Sequence, residues 1–184
     1  MHPALQAIND VYLQVEPYIR PKLETLSSLT EVEAIEWMKS RKKSVLLYKT
    51  ASGKFVAIAD SLPPNELIIA YQEGCSILRA NITGHVCRYF DRVYVPMMLQ
   101  AIREDHEAGF MFLRALHRNQ AADIQSVALN ALASAFPRTR EAALGIVYDD
   151  NILEAIPKVV EMTQDSDPEI AAFAKKCLQR LTAL

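Results

Sequence analysis

The sequence has few glycines, few cysteines and no long hydrophobic run, and each shortage excludes a class of protein. Only 5 glycines serve 184 residues, and none falls in a phosphate-binding loop or in a Gly-x-Ser-x-Gly turn. The 3 cysteines are irregularly spaced and predict no disulfide framework. No stretch approaches the roughly 18 apolar residues that a membrane-spanning helix needs. We therefore expect no cofactor, no bound metal and no membrane partner.

The overall composition is typical of a globular protein without a strong charge preference. Half of the residues are hydrophobic (51%), 23% are charged, and the formal net charge is −2. This balance gives no general attraction to nucleic acid or to acidic membranes. The first residues lack the basic and apolar segments of a secretion signal, so we expect a cytoplasmic protein.

Residues 1–95 combine helical and strand-like patterns. Apolar spacing predicts a helix over 3–16, and Thr30 with Glu33 forms a capping box that opens a further helix through Lys39. The apolar runs 44–49 and 54–59 flank Thr50-Ala-Ser-Gly and predict a β-hairpin. A second β-hairpin is predicted about Asn81-Ile-Thr-Gly, from 76–82 and 86–95, while 66–80 stays open between strand and helix. The predicted class is α+β, mainly helical, with a small antiparallel sheet in an N-terminal domain (1–95) and a helical C-terminal domain (96–184).

The last part of the chain reads as two helices joined by a tight polar turn. Asp167 is placed to cap the second helix, with Pro168 at its first position. The pattern resembles a HEAT repeat at five positions, namely Pro157, Asp165, Ile170, Ala174 and Leu178. Ala171 stands where that family usually carries an Arg. A shift of 46 residues lays Phe110 on Ile156 and Ala128 on Ala174, so the resemblance to HEAT and armadillo repeats extends over 106–184.

The resemblance implies stacked helices with a protein-binding surface, and it leads to the first functional hypothesis. We expect a non-catalytic interaction module, such as an adaptor, an assembly factor or an inhibitor-like protein, and no catalytic residue is assigned. Acidic residues crowd the last repeat and would suit a basic partner. The candidate partner surface comprises Asp149, Asp150, Glu154, Glu161 and Asp165.

Two alternatives remain open from the sequence alone. A basic run could bind a polyanion such as nucleic acid, and its members are Lys39, Arg41, Lys42, Lys43, Lys49 and Lys54. A small-ligand sensor or enzyme could instead hold a pocket between the predicted sheet and the helices. The candidate lining residues of that pocket are Arg79, His85, Arg88 and Tyr89.

Overall fold

The computed structural model describes residues 1–21, 28–121 and 123–183, and within them the chain forms ten α-helices. They are α1 (Pro3–Ile19), α2 (Glu31–Ala59), α3 (Pro64–Glu73), α4 (Ser76–Arg88), α5 (Val95–Arg103), α6 (Gly109–Arg118), α7 (Ile124–Ala131), α8 (Pro137–Asp150), α9 (Ile156–Met162) and α10 (Pro168–Thr182). Short 3-10 helices, Arg92–Tyr94 and Leu153–Ala155, precede α5 and α9. The described residues contain no β-strand.

The predicted α+β class is therefore wrong, and α2 shows why. This helix begins at the predicted capping box, where Thr30 N donates to Glu33 Oε2 at 2.8 Å, and continues through both predicted strands. The buried residues of α2 follow helical spacing, at Ser44, Ala51, Phe55 and Ala59. Several apolar side chains face solvent instead and obscure that periodicity. They are Val32, Ile35, Met38, Leu46 and Val56.

The second predicted β-hairpin fails because its polar residues do not turn the chain. Asn81 Nδ2 donates to the carbonyl of Ile77 at 2.9 Å, and Thr83 Oγ1 donates to the carbonyl of Arg79 at 2.8 Å. These bonds reach back one helical turn, which is how such residues are accommodated inside a helix. The residues 66–80, left open between strand and helix, lie mostly in α3 and α4.

The chain divides into two compact units, Met1–His85 and Val86–Leu184, with the division inside α4. In the first unit α1 packs along α2, and the Tyr12 hydroxyl lies 3.0 Å from Ser52 Oγ. The turn between α3 and α4 is held by Asn9, whose Oδ1 accepts a 2.8 Å bond from Cys75 N. Gly74 is required there, because a Cβ would lie 2.4 Å from the carbonyl oxygen of Ala70.

The second unit is a stack of three helical hairpins. Hairpin A is α5 with α6, hairpin B is α7 with α8, and hairpin C is α9 with α10; the second helices α6, α8 and α10 also pack on one another in that order. The 46-residue shift is therefore wrong, because it lays α6, a second helix, on α9, a first helix. Laying Pro137 on Pro168, each near the first turn of a second helix, gives the repeat that the structure has.

A set of hydrogen bonds, here called the turn ladder, joins the turns of the three hairpins. The Asp105 carboxylate of hairpin A accepts bonds from the hydroxyl of Ser134 and from Ala135 N (2.8 Å for the latter). Arg140 of hairpin B donates to the carbonyls of Ser134 and Ala135 at 3.0 and 3.2 Å. It also donates to Asp165 of hairpin C, through two bonds of 2.8 Å. Each turn is thereby fixed to the next.

Candidate protein-binding groove

An open groove of about 820 Å³ runs across the starts of α6, α8 and α10. Its apolar part comes from Phe110, Phe136, Pro137, Ile170 and Phe173, and its polar part from Glu107, Arg138, Glu141, Asp167 and Glu169. Four carboxylates thus face one guanidinium. Aromatic rings bordered by carboxylates suit a segment that carries both cations and apolar groups.

The ring of Phe110 is the meeting point of two arginines. The guanidinium carbon of Arg138 lies 5.6 Å from the ring centroid and that of Arg114 lies 5.9 Å from it, both within cation–π range. Arg114 also approaches Glu141, with 4.0 Å between Nη2 and Oε1. Arg114 therefore lies near both a ring and a carboxylate of the groove.

The local sequence explains why these groups come together at helix starts. Pro137 and Pro168 begin α8 and α10, where a missing N–H breaks no helical bond. Asp167 caps α10 by accepting from Glu169 N at 2.9 Å, and acidic groups are favoured at the positive end of a helix dipole. Gly109 allows α6 to approach α8, since a Cβ there would lie 3.3 Å from Thr139 Oγ1. The carboxylates and rings of successive hairpins consequently share one groove.

A second groove, of about 650 Å³ and lined by residues of α5 and α7, has polar groups that are engaged in holding the fold. Arg103 donates to the carbonyl of Leu99 in its own helix at 3.2 Å. Asp105 belongs to the turn ladder, and Asp123 caps α7 by accepting from Ser126 N at 3.4 Å. No aromatic ring is among the described residues that line it, in contrast to the groove at Phe110.

The five acidic residues predicted as a partner surface do not line the groove at Phe110, and they differ in their surroundings. Asp150 lies 3.0 Å from His117, and Glu161 pairs with Lys158 at 2.7 Å. Asp165 is held in the turn ladder, and the hydrogen bond from Arg140 is the main reason that its pKa lies below the usual value. Asp149 lies in the last turn of α8 and Glu154 in the 3-10 helix before α9; both are exposed.

The six predicted polyanion-binding residues all lie on α2 and are all exposed. Helical spacing puts five of them on one side of the helix and Arg41 on the other. Arg41 turns toward Trp37, where its guanidinium carbon lies 5.3 Å from the ring centroid, and Lys39 pairs with Glu36 at 2.8 Å. Helical spacing puts Lys42 and Lys49 on the same side as the exposed Leu46. The basic residues thus alternate with apolar ones on that side.

The predicted pocket residues lie along α4 and immediately after it, and the sheet that was to form one wall is absent from the described residues. Arg79, His85 and Arg88 are six and three residues apart, a spacing that turns Arg79 away from His85 and Arg88. His85 Nε2 lies 3.7 Å from Asp60, and its ring packs edge-on against Phe55. Arg88 and Tyr89 are exposed.

Within the described ranges, no three of the residue types His, Cys, Asp and Glu lie close enough together to hold a metal ion. Burial raises the pKa of the Cys87 thiol to about 11 and also raises the pKa of Cys177. Both thiols are therefore protonated at neutral pH and poor nucleophiles. In the part of the chain that the structure describes, every helix is too short or too polar to cross a membrane.

Sequence reasoning missed the groove residues Phe110, Phe136, Phe173 and Glu141, although one signal was present. Two second helices begin with a proline that follows an aromatic or acidic residue, Phe136 before Pro137 and Asp167 before Pro168. Alignment on these prolines would have placed the flanking aromatic and acidic residues at equivalent helix starts. Alignment by the 46-residue shift hid that relationship.

Comparisons with protein-family models, with curated proteins and with solved structures find no match for this chain. The fold and the groove therefore define its class by themselves. The second unit is a stack of helical hairpins with an aromatic and acidic groove at one end of its second helices.

Proposed function

We propose that this chain is a protein-interaction module that binds a basic segment of a partner protein in the groove at Phe110. The observation that carries the proposal is the composition of that groove, in which four carboxylates and three phenylalanine rings accompany a single cation. A basic segment would gain ion pairs from the carboxylates and stacking from the rings. The module would then act as an adaptor, an assembly factor or an inhibitor-like protein.

The HEAT-like character of the hairpins supports the same proposal. Laying Pro137 on Pro168 places Arg140 at the position of Ala171, where the HEAT pattern carries an Arg, and Arg140 bonds Asp165 of the next hairpin. Stacked helical repeats commonly use the surface made by successive equivalent helices for binding. Here α6, α8 and α10 form such a surface, and the groove crosses it.

The polyanion alternative on α2 is less favoured because exposed apolar side chains lie between its cations. Leu46 and Val56 are 66% and 65% exposed on the side that carries Lys42 and Lys49. Exposed apolar side chains gain little from contact with a phosphate backbone, whose recognition depends on charge. Removal of the partner by nuclease treatment would favour this alternative over the groove.

A pair of charge reversals tests the proposal. Glu169→Lys changes an exposed carboxylate of the groove, and Glu154→Lys makes the same change at an exposed carboxylate outside it. Tagged protein is used to capture partners from nuclease-treated native lysate, and recovery is compared among the wild type and both variants. We expect a stoichiometric partner to be lost only with Glu169→Lys. Equal recovery with both variants, or loss only with Glu154→Lys, contradicts the groove as the binding site.

A further inference from the structure

We propose that the groove recognises an arginine side chain of its partner against the ring of Phe110, at the place that Arg138 of the same chain now occupies. The inference rests on the proposed function, because it assumes that the groove binds a basic segment. It adds that the recognised side chain is an arginine and that Arg138 of this chain competes with it for the Phe110 ring.

The first step is that the Phe110 ring is already approached by guanidinium groups of this chain. Arg114 lies 5.9 Å from the centre of the Phe110 ring and 4.0 Å from the carboxylate of Glu141. A planar guanidinium can lay its face on an aromatic ring, which the compact ammonium of lysine cannot do. Both of the cations that approach this ring are arginines.

The second step is that Arg138 is held less firmly than Arg114. Its guanidinium carbon lies 5.6 Å from the same ring centroid, yet no carboxylate of the described residues lies within 4 Å of it. Arg138 is exposed, and it is the single cation among the groove residues. Its contact with Phe110 is therefore one that an incoming arginine could replace.

The third step is electrostatic. Arg138 reduces the negative charge of the groove and covers the ring, so it opposes a basic partner in two ways. The apparent affinity of a site that is partly occupied by its own side chain is lowered by the fraction of time that it is covered. Removal of Arg138 should consequently strengthen binding, whereas removal of a distant cation should change it little.

The test measures fluorescence anisotropy of two fluorescein-labelled peptides of equal length, one alternating arginine with alanine and one alternating lysine with alanine. The full chain is used as wild type, Arg138→Gln, Phe110→Leu and the double variant. Lys175→Gln is the charge-matched control, because Lys175 is exposed and lies outside the groove. Phe110→Leu keeps an apolar side chain at a half-buried position, and thermal melting checks that each variant is folded.

We expect the arginine peptide to bind more tightly than the lysine peptide, and Arg138→Gln to tighten its binding about threefold, in line with an exposed cation–π contact. Lys175→Gln should leave the affinity nearly unchanged. The gain from Arg138→Gln should disappear in the Phe110→Leu background, since the two side chains act through one contact.

The contrary outcomes separate the two proposals. Binding of both peptides with equal affinity, or an equal effect of Arg138→Gln and Lys175→Gln, overturns the arginine-specific inference and leaves the groove as a binding site for basic segments. If neither peptide binds the wild type or the Arg138→Gln variant, the inference and the proposed function are overturned together.

Discussion

Arg140 and Asp165 are joined by two parallel hydrogen bonds of 2.8 Å, one from Nε and one from Nη2 of the guanidinium. The two residues belong to successive hairpins, B and C, and both side chains are largely shielded, with exposed fractions of 13% and 9%. The same guanidinium also satisfies the carbonyl oxygens of Ser134 and Ala135. One side chain therefore links two turns whose polar groups would otherwise lack these partners.

Arg140→Ala should lower the free energy of unfolding by about 2 kcal/mol, because it leaves shielded acceptors without their donor. Arg140→Lys should recover only part of that loss, since an ammonium cannot donate two parallel bonds to a carboxylate. Urea denaturation measures both. Arg138→Ala is the matched control on the same helix turn, and a cost equal to that of Arg140→Ala would argue against the turn ladder.

The contribution of Asp165 should depend on pH. Its pKa in the folded protein is lowered, chiefly by the hydrogen bond from Arg140, from an ordinary value of 3.8. The stabilisation is therefore complete above the unfolded pKa and is lost as the pH falls through the folded pKa. Denaturation curves of the wild type and Asp165→Asn should differ near neutral pH and converge in acid below about pH 4. A difference that stays constant through that range would show that the carboxylate charge is not responsible.

Leu181 and Leu178 offer a matched pair on α10. The HEAT pattern places Leu178 in the core, but the structure buries Cys177 and Leu181 and leaves Leu178 half-exposed. Leu181→Ala should cost roughly 2–5 kcal/mol, whereas Leu178→Ala should cost clearly less because it creates a smaller cavity. Equal costs in thermal or urea unfolding would mean that the helix is rotated relative to the core.

Gly53 and Gly74 provide opposite tests of the helical N-terminal unit. Gly53 lies inside α2 with open space around it, so Gly53→Ala should stabilise the protein by about 0.5–1 kcal/mol. Gly74→Ala should destabilise it, because the new Cβ would lie 2.4 Å from a backbone oxygen. Calorimetric melting of the two variants measures both effects. A loss of stability from Gly53→Ala would instead support the turn that the sequence predicted there.

Two helix starts that are set by capping residues were predicted correctly from the sequence. The capping box of Thr30 and Glu33 opens α2, and Asp167 with Pro168 opens α10, as expected. A side chain that binds backbone N–H groups within its own turn acts through neighbours in sequence, so its effect depends little on the tertiary fold. The helical repeat character of the C-terminal part was also foreseen at this coarser level.

The ends of helices were harder to predict, because this chain rarely marks them with glycine. Asp105, Gln120 and Asn151 adopt positive φ values of 53°, 47° and 52° just after α5, α6 and α8. Such positions usually favour glycine, whose absence here removed the signal for where these helices end. The groove was missed for a related reason. Its residues occupy equivalent helix starts only when the repeats are aligned with the correct length.

The positions of Arg138 and Arg140, two residues apart at the start of α8, connect the groove to the turn ladder. One side chain lies on the Phe110 ring and the other bonds Asp165, so the same helical turn borders the groove and joins hairpins B and C. Because the ladder ties that turn to hairpin C, the backbone of the groove is pre-organised before any partner arrives. The main entropy cost of binding would then come from ordering the partner's own chain, and the hairpins would not need to rearrange.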